Sequence, residues 1–317
     1  MGRSLRNQKK DRLYFVTTRC FQQRYFMVPS PKVNRLILGW LGRALERFPE
    51  VKLHGIVCLS NHLHAILSSG KHNLHLFVGY WLGNVAKALN DHLDRKGTFF
   101  ERRYASEAIL DDISAKRMLA YLILNPVAAE LVDHAHEWPG ISSVRTQVSG
   151  EPLVGRLPDK KELKRRRRRG EVVADDDFVI EHPVTIAPLP EHEGLSEGEI
   201  KYEVVRIILG ALLERNPQLY RNDERGATLQ AVSPPTGRAM GVDNVMKQNP
   251  TDRPAPKKRT NRPLCHCSTP AVRAAYKKEM RAIRIAYDAA MRQYRRGRVP
   301  NFPVGTCPPG WMTAVAA

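Results

Sequence analysis

Three observations in this 317-residue chain predict an α+β fold. Short runs are rich in β-branched and aromatic residues, and longer runs carry apolar residues at helical spacing. Their order over the first 150 residues is β-α-β-β-α-β-α, which suits an antiparallel-rich sheet with helices packed on it.

Each element has its own warrant. LYFVTTR (13–19) reads as a strand. Pro29 and Pro31 open a helix in which Val33, Leu36, Ile37, Trp40, Leu41 and Leu45 recur on one side. VKLHGIVC and HLHAILS are two strands joined by the polar corner Leu59-Ser60-Asn61. Asn73 is placed to cap NLHLFVGYWLGNVAKALNDHLDRKG, with Gly97 ending it. TFFERRYASEAIL reads as a strand with a basic middle, in which alternation would leave one of Arg102 and Arg103 on each face. Asp111-Asp112 start the helix ISAKRMLAYLILN, and Pro126 should stop it.

The second half reads differently. Residues 151–199 form an expected linker, a charge run KKELKRRRRRG followed by the acidic ADDD. Residues 200–317 are an extension with helices at about 200–216 and 270–298. Val204, Val205, Ile208, Leu209 and Leu212 supply the apolar face of the first. Ala274, Ala275, Met280, Ile283, Ile285, Tyr287 and Met291 supply apolar surface on the second. Between them, 222–268 is rich in Pro, Gly, Asn and Arg and is expected to be disordered.

The net charge is +19, and it sits in blocks. Residues 1–150 carry +9, 160–169 carry +7 and 252–298 carry +11, whereas 170–251 carry −7. Such blocks favour a polyanionic partner, because counterions released from a phosphate backbone drive binding. Five scattered cysteines (Cys20, Cys58, Cys265, Cys267 and Cys307) fit a reducing compartment. Cys265-His266-Cys267 is too compressed for a structural zinc cluster. No apolar run reaches the length of a membrane span, so a soluble cytoplasmic protein with no membrane partner is expected.

The chemistry-bearing residues fall in two segments. In a strand, His62 and His64 point the same way, and two neutral imidazoles so placed can share one metal ion. The pattern alone is weak, since an H-x-H is as readily structural. Tyr121 lies mid-helix among Leu119, Leu122, Ile123 and Leu124, the position of an ordinary core aromatic. Asn125, four residues on, shares its face, and its amide oxygen is suited to a metal or a phosphate contact. A phenol becomes a useful nucleophile when a cation polarises the phosphate it attacks.

Together these segments resemble the single-tyrosine HUH transposases, most closely the REP-associated tyrosine transposases. LHGIVCLSNHLHAIL is similar to their histidine–hydrophobe–histidine segment and YLILNPVAAELV to their tyrosine helix. TFFERRYASEAI resembles their basic strand and RLYFVTTR their first strand, over residues 12–145. The resemblance implies a ferredoxin-like antiparallel sheet in a catalytic domain over 1–150. It implies cleavage and rejoining of hairpin-bearing single-stranded DNA, with Tyr121 the nucleophile and a 5′-phosphotyrosine intermediate. His62, His64 and Asn125 would hold a divalent ion, usually Mg2+ or Mn2+, although two imidazoles favour manganese or zinc over magnesium. By their charge rather than by the resemblance, Arg102 or Arg103 is read as facing DNA, the alternative being a solvated surface charge, and the run Arg165, Arg166, Arg167, Arg168 and Arg169 as binding phosphate without reading sequence, the alternative being an extended linker. A homodimer is one arrangement the resemblance allows, in a bacterial, nucleoid-associated setting.

The chain departs from that pattern at Leu59-Ser60 (Met-Pro in relatives), Phe100-Glu101 (Trp-Gln), and Ala128 and Glu130 (Arg and Gly). The competing readings are a domesticated or inactive binder of structured DNA without cleavage activity, and an RNA-binding protein. No RNP or G-x-x-G signature supports the latter.

Overall fold

The computed structural model describes residues 5–215, 239–255 and 263–309. Five strands form the main sheet: β1 (Leu13–Arg19), β2 (Val51–Cys58), β3 (His62–Ser69), β4 (Ala105–Ile109) and β7 (Cys265–His266), in the order β2-β3-β1-β4-β7. The first four are antiparallel to their neighbours, and β7 lies parallel to β4. The predicted α+β class and the alternation of elements over the first 150 residues therefore hold.

One face of the sheet is covered by α1 (Pro31–Arg47) and α2 (Leu74–His92), over a core that includes Tyr14, Val16, Leu41, Leu63, Phe77 and Trp81. The Ser30 hydroxyl caps α1 by accepting from the Val33 N–H at 3.2 Å, and Pro31 sits at the first helical position. Asn73 precedes α2 but makes no side-chain cap; its Oδ1 accepts from Ser69 instead. The helix ends at His92, before Gly97.

The other face is covered by α3 (Asp112–Ile123) and α7 (Glu197–Arg215). Asp111 caps α3 through Oδ1, which accepts from Ser114 N–H at 2.8 Å. Leu119, Leu122 and Ile123 of α3 pack with Val204, Ile208 and Leu212 of α7 above Phe15, Val57 and Ile66 of the sheet. Pro126 does not end the helical path outright, because a short helix α4 (Asn125–Ala128) follows Leu124 directly.

Residues 153–184, expected as a linker, fold as strand, helix and strand. β5 (Leu153–Pro158) pairs antiparallel with β6 (Val179–Val184), and α6 (Lys160–Arg168) connects them. This unit sits on α1 at glycine distance: a Cβ on Gly155 would lie 2.3 Å from the Leu38 carbonyl oxygen. The expected disordered stretch lies partly outside the described residues. Within them it includes α8 (Val242–Met246) and β7, and α5 (Val144–Ser149) precedes β5. The final helix is α9 (Pro270–Arg295), which turns Tyr276 and Ala290 inward, while Ile285 is exposed. Among the described residues no helix is long and apolar enough to cross a membrane.

Candidate active site

Alternation along β3 sends Leu63 into the core beneath α1 and α2 and leaves His62 and His64 on the opposite face. Their rings are 5.0 Å apart and nearly perpendicular. Each is held from behind. His62 Nδ1 is 2.6 Å from Asn61 Oδ1, and His64 Nδ1 is 2.8 Å from Thr17 Oγ1. An amide oxygen only accepts, so His62 Nδ1 donates and Nε2 is its basic nitrogen. Phe15 stacks on His64 at 4.9 Å and fixes the ring plane.

The helix α3 carries Tyr121 to the same place. Its ring lies 5.7 Å from that of His64 and 5.8 Å from that of Phe15. Leu119, Leu122 and Ile123 anchor the helix, while Tyr121 is 40 % exposed and so is not the core aromatic its neighbours suggest. Asn125 is buried, with its side chain beside His62. Burial, reinforced by the Arg19 guanidinium, pushes the His62 imidazole down to about 4, although the Asn125 side chain would accept from the ring in its charged form. At neutral pH the ring is therefore uncharged, the state a metal ligand requires.

Among the described residues no group of three His, Cys, Asp or Glu side chains is placed to hold a metal ion. The local donor set is instead two imidazoles and an amide. Those residues fit a divalent ion, because both Nδ1 atoms are oriented by a neighbouring oxygen, as second partners orient metal-bound histidines.

Several residues at the site carry no sequence motif. Arg19 pairs with His62 across the β1–β3 ladder and adds a cation on the same face. Alternation in LYFVTTR, which puts Phe15, Thr17 and Arg19 on one side, is the signal that finds all three. His266 arrives from the far end of the chain. Its ring lies 5.7 Å from Phe15, and its Nε2 is 2.8 Å from Glu107 Oε2. A two-residue strand has no periodicity, so nothing local announces it.

The candidate DNA-contacting arginines fall in two places. Arg102 and Arg103 are not in a strand: β4 begins only at Ala105, and both line one groove with Arg6, Gln8 and Tyr104. The expectation that strand alternation would leave one arginine facing DNA fails for that reason. Arg165–Arg168 lie on α6 and Arg169 caps it, on the unit that packs against α1. They are thus on the side of the sheet opposite the histidines.

No family model matches the chain, and no curated protein matches it. It is similar to a solved structure of a REP-associated tyrosine transposase bound to a REP hairpin, with a TM-score of 0.41 and 18% identity. The match covers 47% of this chain and 86% of that one.

Proposed function

We propose that this protein is a metal-dependent DNA strand transferase that cleaves and rejoins single-stranded DNA beside a hairpin, using Tyr121. The observation that carries this reading is the convergence of His62, His64, Tyr121 and Asn125, from β3, α3 and α4, on one side of the sheet.

Tyr121 Oη forms a bond to phosphorus as the bond from phosphorus to the 3′ oxygen breaks. The phenol gives up its proton, the 3′ oxygen takes one to leave as a hydroxyl, and the 5′ phosphate stays on the tyrosine. The new ester keeps the phosphodiester energy, so a 3′-hydroxyl can reverse the step without nucleotide hydrolysis. His62 and His64 would hold a magnesium or manganese ion through their Nε2 atoms, with Asn125 as oxygen donor. When bound, such an ion supplies charge that polarises the phosphate. Arg19 contributes a fixed cation beside it. Phe15 and Thr17 keep the His64 ring in place while the tyrosine, exposed on its helix, meets the strand.

The test is a labelled single-stranded hairpin incubated with the protein and manganese. The wild type should give a protein–DNA adduct that survives denaturation, and Tyr121→Phe should give none while still binding the hairpin. An adduct that persists in Tyr121→Phe would overturn the nucleophile. Binding without adduct in magnesium, manganese and zinc would leave a structured-DNA binder that does not cut.

A further inference from the structure

The arginine run 165–169 reads in sequence as one uniform basic patch, but the structure divides it. Glu162 takes Arg165 at 2.6 Å and Arg166 at 2.8 Å, and Glu171 takes Arg166 again at 3.0 Å. The two arginines hold the Glu162 carboxyl down to about 2. This side of α6 is neutralised within its own unit.

A second side is not. Lys160, Lys164 and Arg168 recur at i, i+4 and i+8, so they line one stripe about 12 Å long. All three are exposed, and none has an ion-pair partner among the described residues. With Arg167 they rim a hollow of ≈ 490 Å³ floored in part by buried Leu163. One carboxylate enters it: Asp175 Oδ1 lies 2.7 Å from Arg167 Nη2. That pair is exposed on both sides, hence weak, and a phosphate oxygen can take the place of the carboxylate oxygen at small cost.

From this we infer that the Lys160–Lys164–Arg168 stripe, with Arg167, binds the sugar–phosphate backbone of a nucleic-acid duplex, and that Asp175 occupies one phosphate position until the duplex arrives. The inference rests on the DNA reading above but concerns a different surface. The histidine–tyrosine face is covered by α3 and α7, whereas β5, α6 and β6 ride on α1, which covers the other face. A duplex presents one charge per about 1.7 Å of its axis, so a 12 Å stripe faces more phosphates than it has cations. Cationic heads set against phosphates position a duplex and carry no sequence information themselves, so the expected contact has no sequence preference. Two separate faces would let the protein hold a duplex segment while the strand beside it reaches Tyr121.

The experiment uses the full chain carrying Tyr121→Phe, so that no covalent adduct enters the measurement, and a labelled duplex of arbitrary sequence. Binding is measured by anisotropy between about 50 and about 200 mM salt. Replacing Lys160, Lys164 and Arg168 together by alanine should weaken binding at least tenfold at the low-salt end. It should also flatten the plot of log affinity against log salt by about 2.7, at about 0.9 for each phosphate that is no longer neutralised. Asp175→Asn should tighten binding. An unchanged slope in the triple variant overturns the proposal, as does an Asp175→Asn variant that binds no tighter. Displacement of the duplex by equimolar inorganic pyrophosphate would also overturn it in favour of a small-anion site. The duplex measurement uses a chain that cannot cleave and the adduct test uses no stripe variant, so failure here and failure at Tyr121 are told apart.

Discussion

His54 and His62 are imidazoles of one sheet, both pushed down to about 4 by burial, yet they are partnered differently. His54 sits at the irregularity in β2 between Leu53 and Gly55, with Nδ1 donating to the Pro188 carbonyl at 2.6 Å and Nε2 accepting from the Ser68 hydroxyl at 2.8 Å. Both nitrogens are spent on structure, so a histidine count alone misleads. Its depressed value has a signed consequence. The unfolded chain takes up a proton near pH 6.5, whereas the folded chain resists until about 4, so stability falls as pH drops through that window. The loss should reach roughly 3 kcal/mol at its lower end. Denaturant unfolding at several pH values should show that decline in the wild type and a decline smaller by this amount in His54→Gln. Two residues at which the sequence departs from the motifs it resembles have tertiary partners. Ser60 donates its hydroxyl to Gln248 Oε1 at 2.6 Å and ties a distant segment to the histidine corner. Glu130 adopts φ 55, and its carbonyl accepts from Met240 N–H at 2.8 Å. A non-glycine residue there bears left-handed strain, and the same distant segment braces it.

Among the elements, the tightest fit is between α1 and the β5–β6 pair. A Cβ on Gly155 would meet the Leu38 carbonyl oxygen at 2.3 Å and the Gly39 Cα at 2.7 Å, and one on Gly42 would meet the His182 carbonyl oxygen at 2.5 Å. Backbone cannot swing aside as a side chain can. Gly155→Ala should therefore destabilise by about 3 kcal/mol, at or above the usual range for overpacking, with a matching fall in the thermal midpoint. Elements with a strong local period are legible in the sequence: β1, β2, β3 and α3 carry alternation, helical spacing or a capping aspartate in a few residues. Of the candidate site, periods 2 and 3.6 give only that His62 shares a face with His64 and Tyr121 with Asn125; what singles these four out is the resemblance of their segments to the transposase motifs. Illegible are features set by tertiary contact. Arg102 and Arg103 look like strand and are not, because the chain bends until Ala105 joins Thr17. Residues 151–199 read as a linker because a basic run, an acidic run and prolines dominate them, yet Leu157 and Leu163 are buried. Tyr276 is hidden on a helix whose basic residues dominate its composition.

The whole molecule is held by two apolar clusters, one on each face of a single sheet, and both draw on residues beyond 150. Tyr276 and Cys265 belong to the first, and Val204, Ile208, Leu212 and Val245 to the second. Asp111 links the halves again: one carboxylate oxygen caps α3 and the other accepts from Ser268 N–H at 2.7 Å. Burial alone would raise that carboxyl, and the hydrogen bonds from Ser268 and Ser114 more than reverse it. The motif-bearing part and its extension thus form one folding problem. Two strands, β4 and β2, depend on partners beyond residue 150. The side of β4 away from β1 is paired, among the described residues, by Cys265–His266, and β2 makes a bridge from Leu53 to Ile186. A fragment of residues 1–150 would keep every motif and lose both of these partners, exposing open strand edges that recruit other chains. It should sediment as concentration-dependent aggregates where the full chain does not. Trimming the protein to its recognisable half would cost its solubility before its chemistry could be assayed.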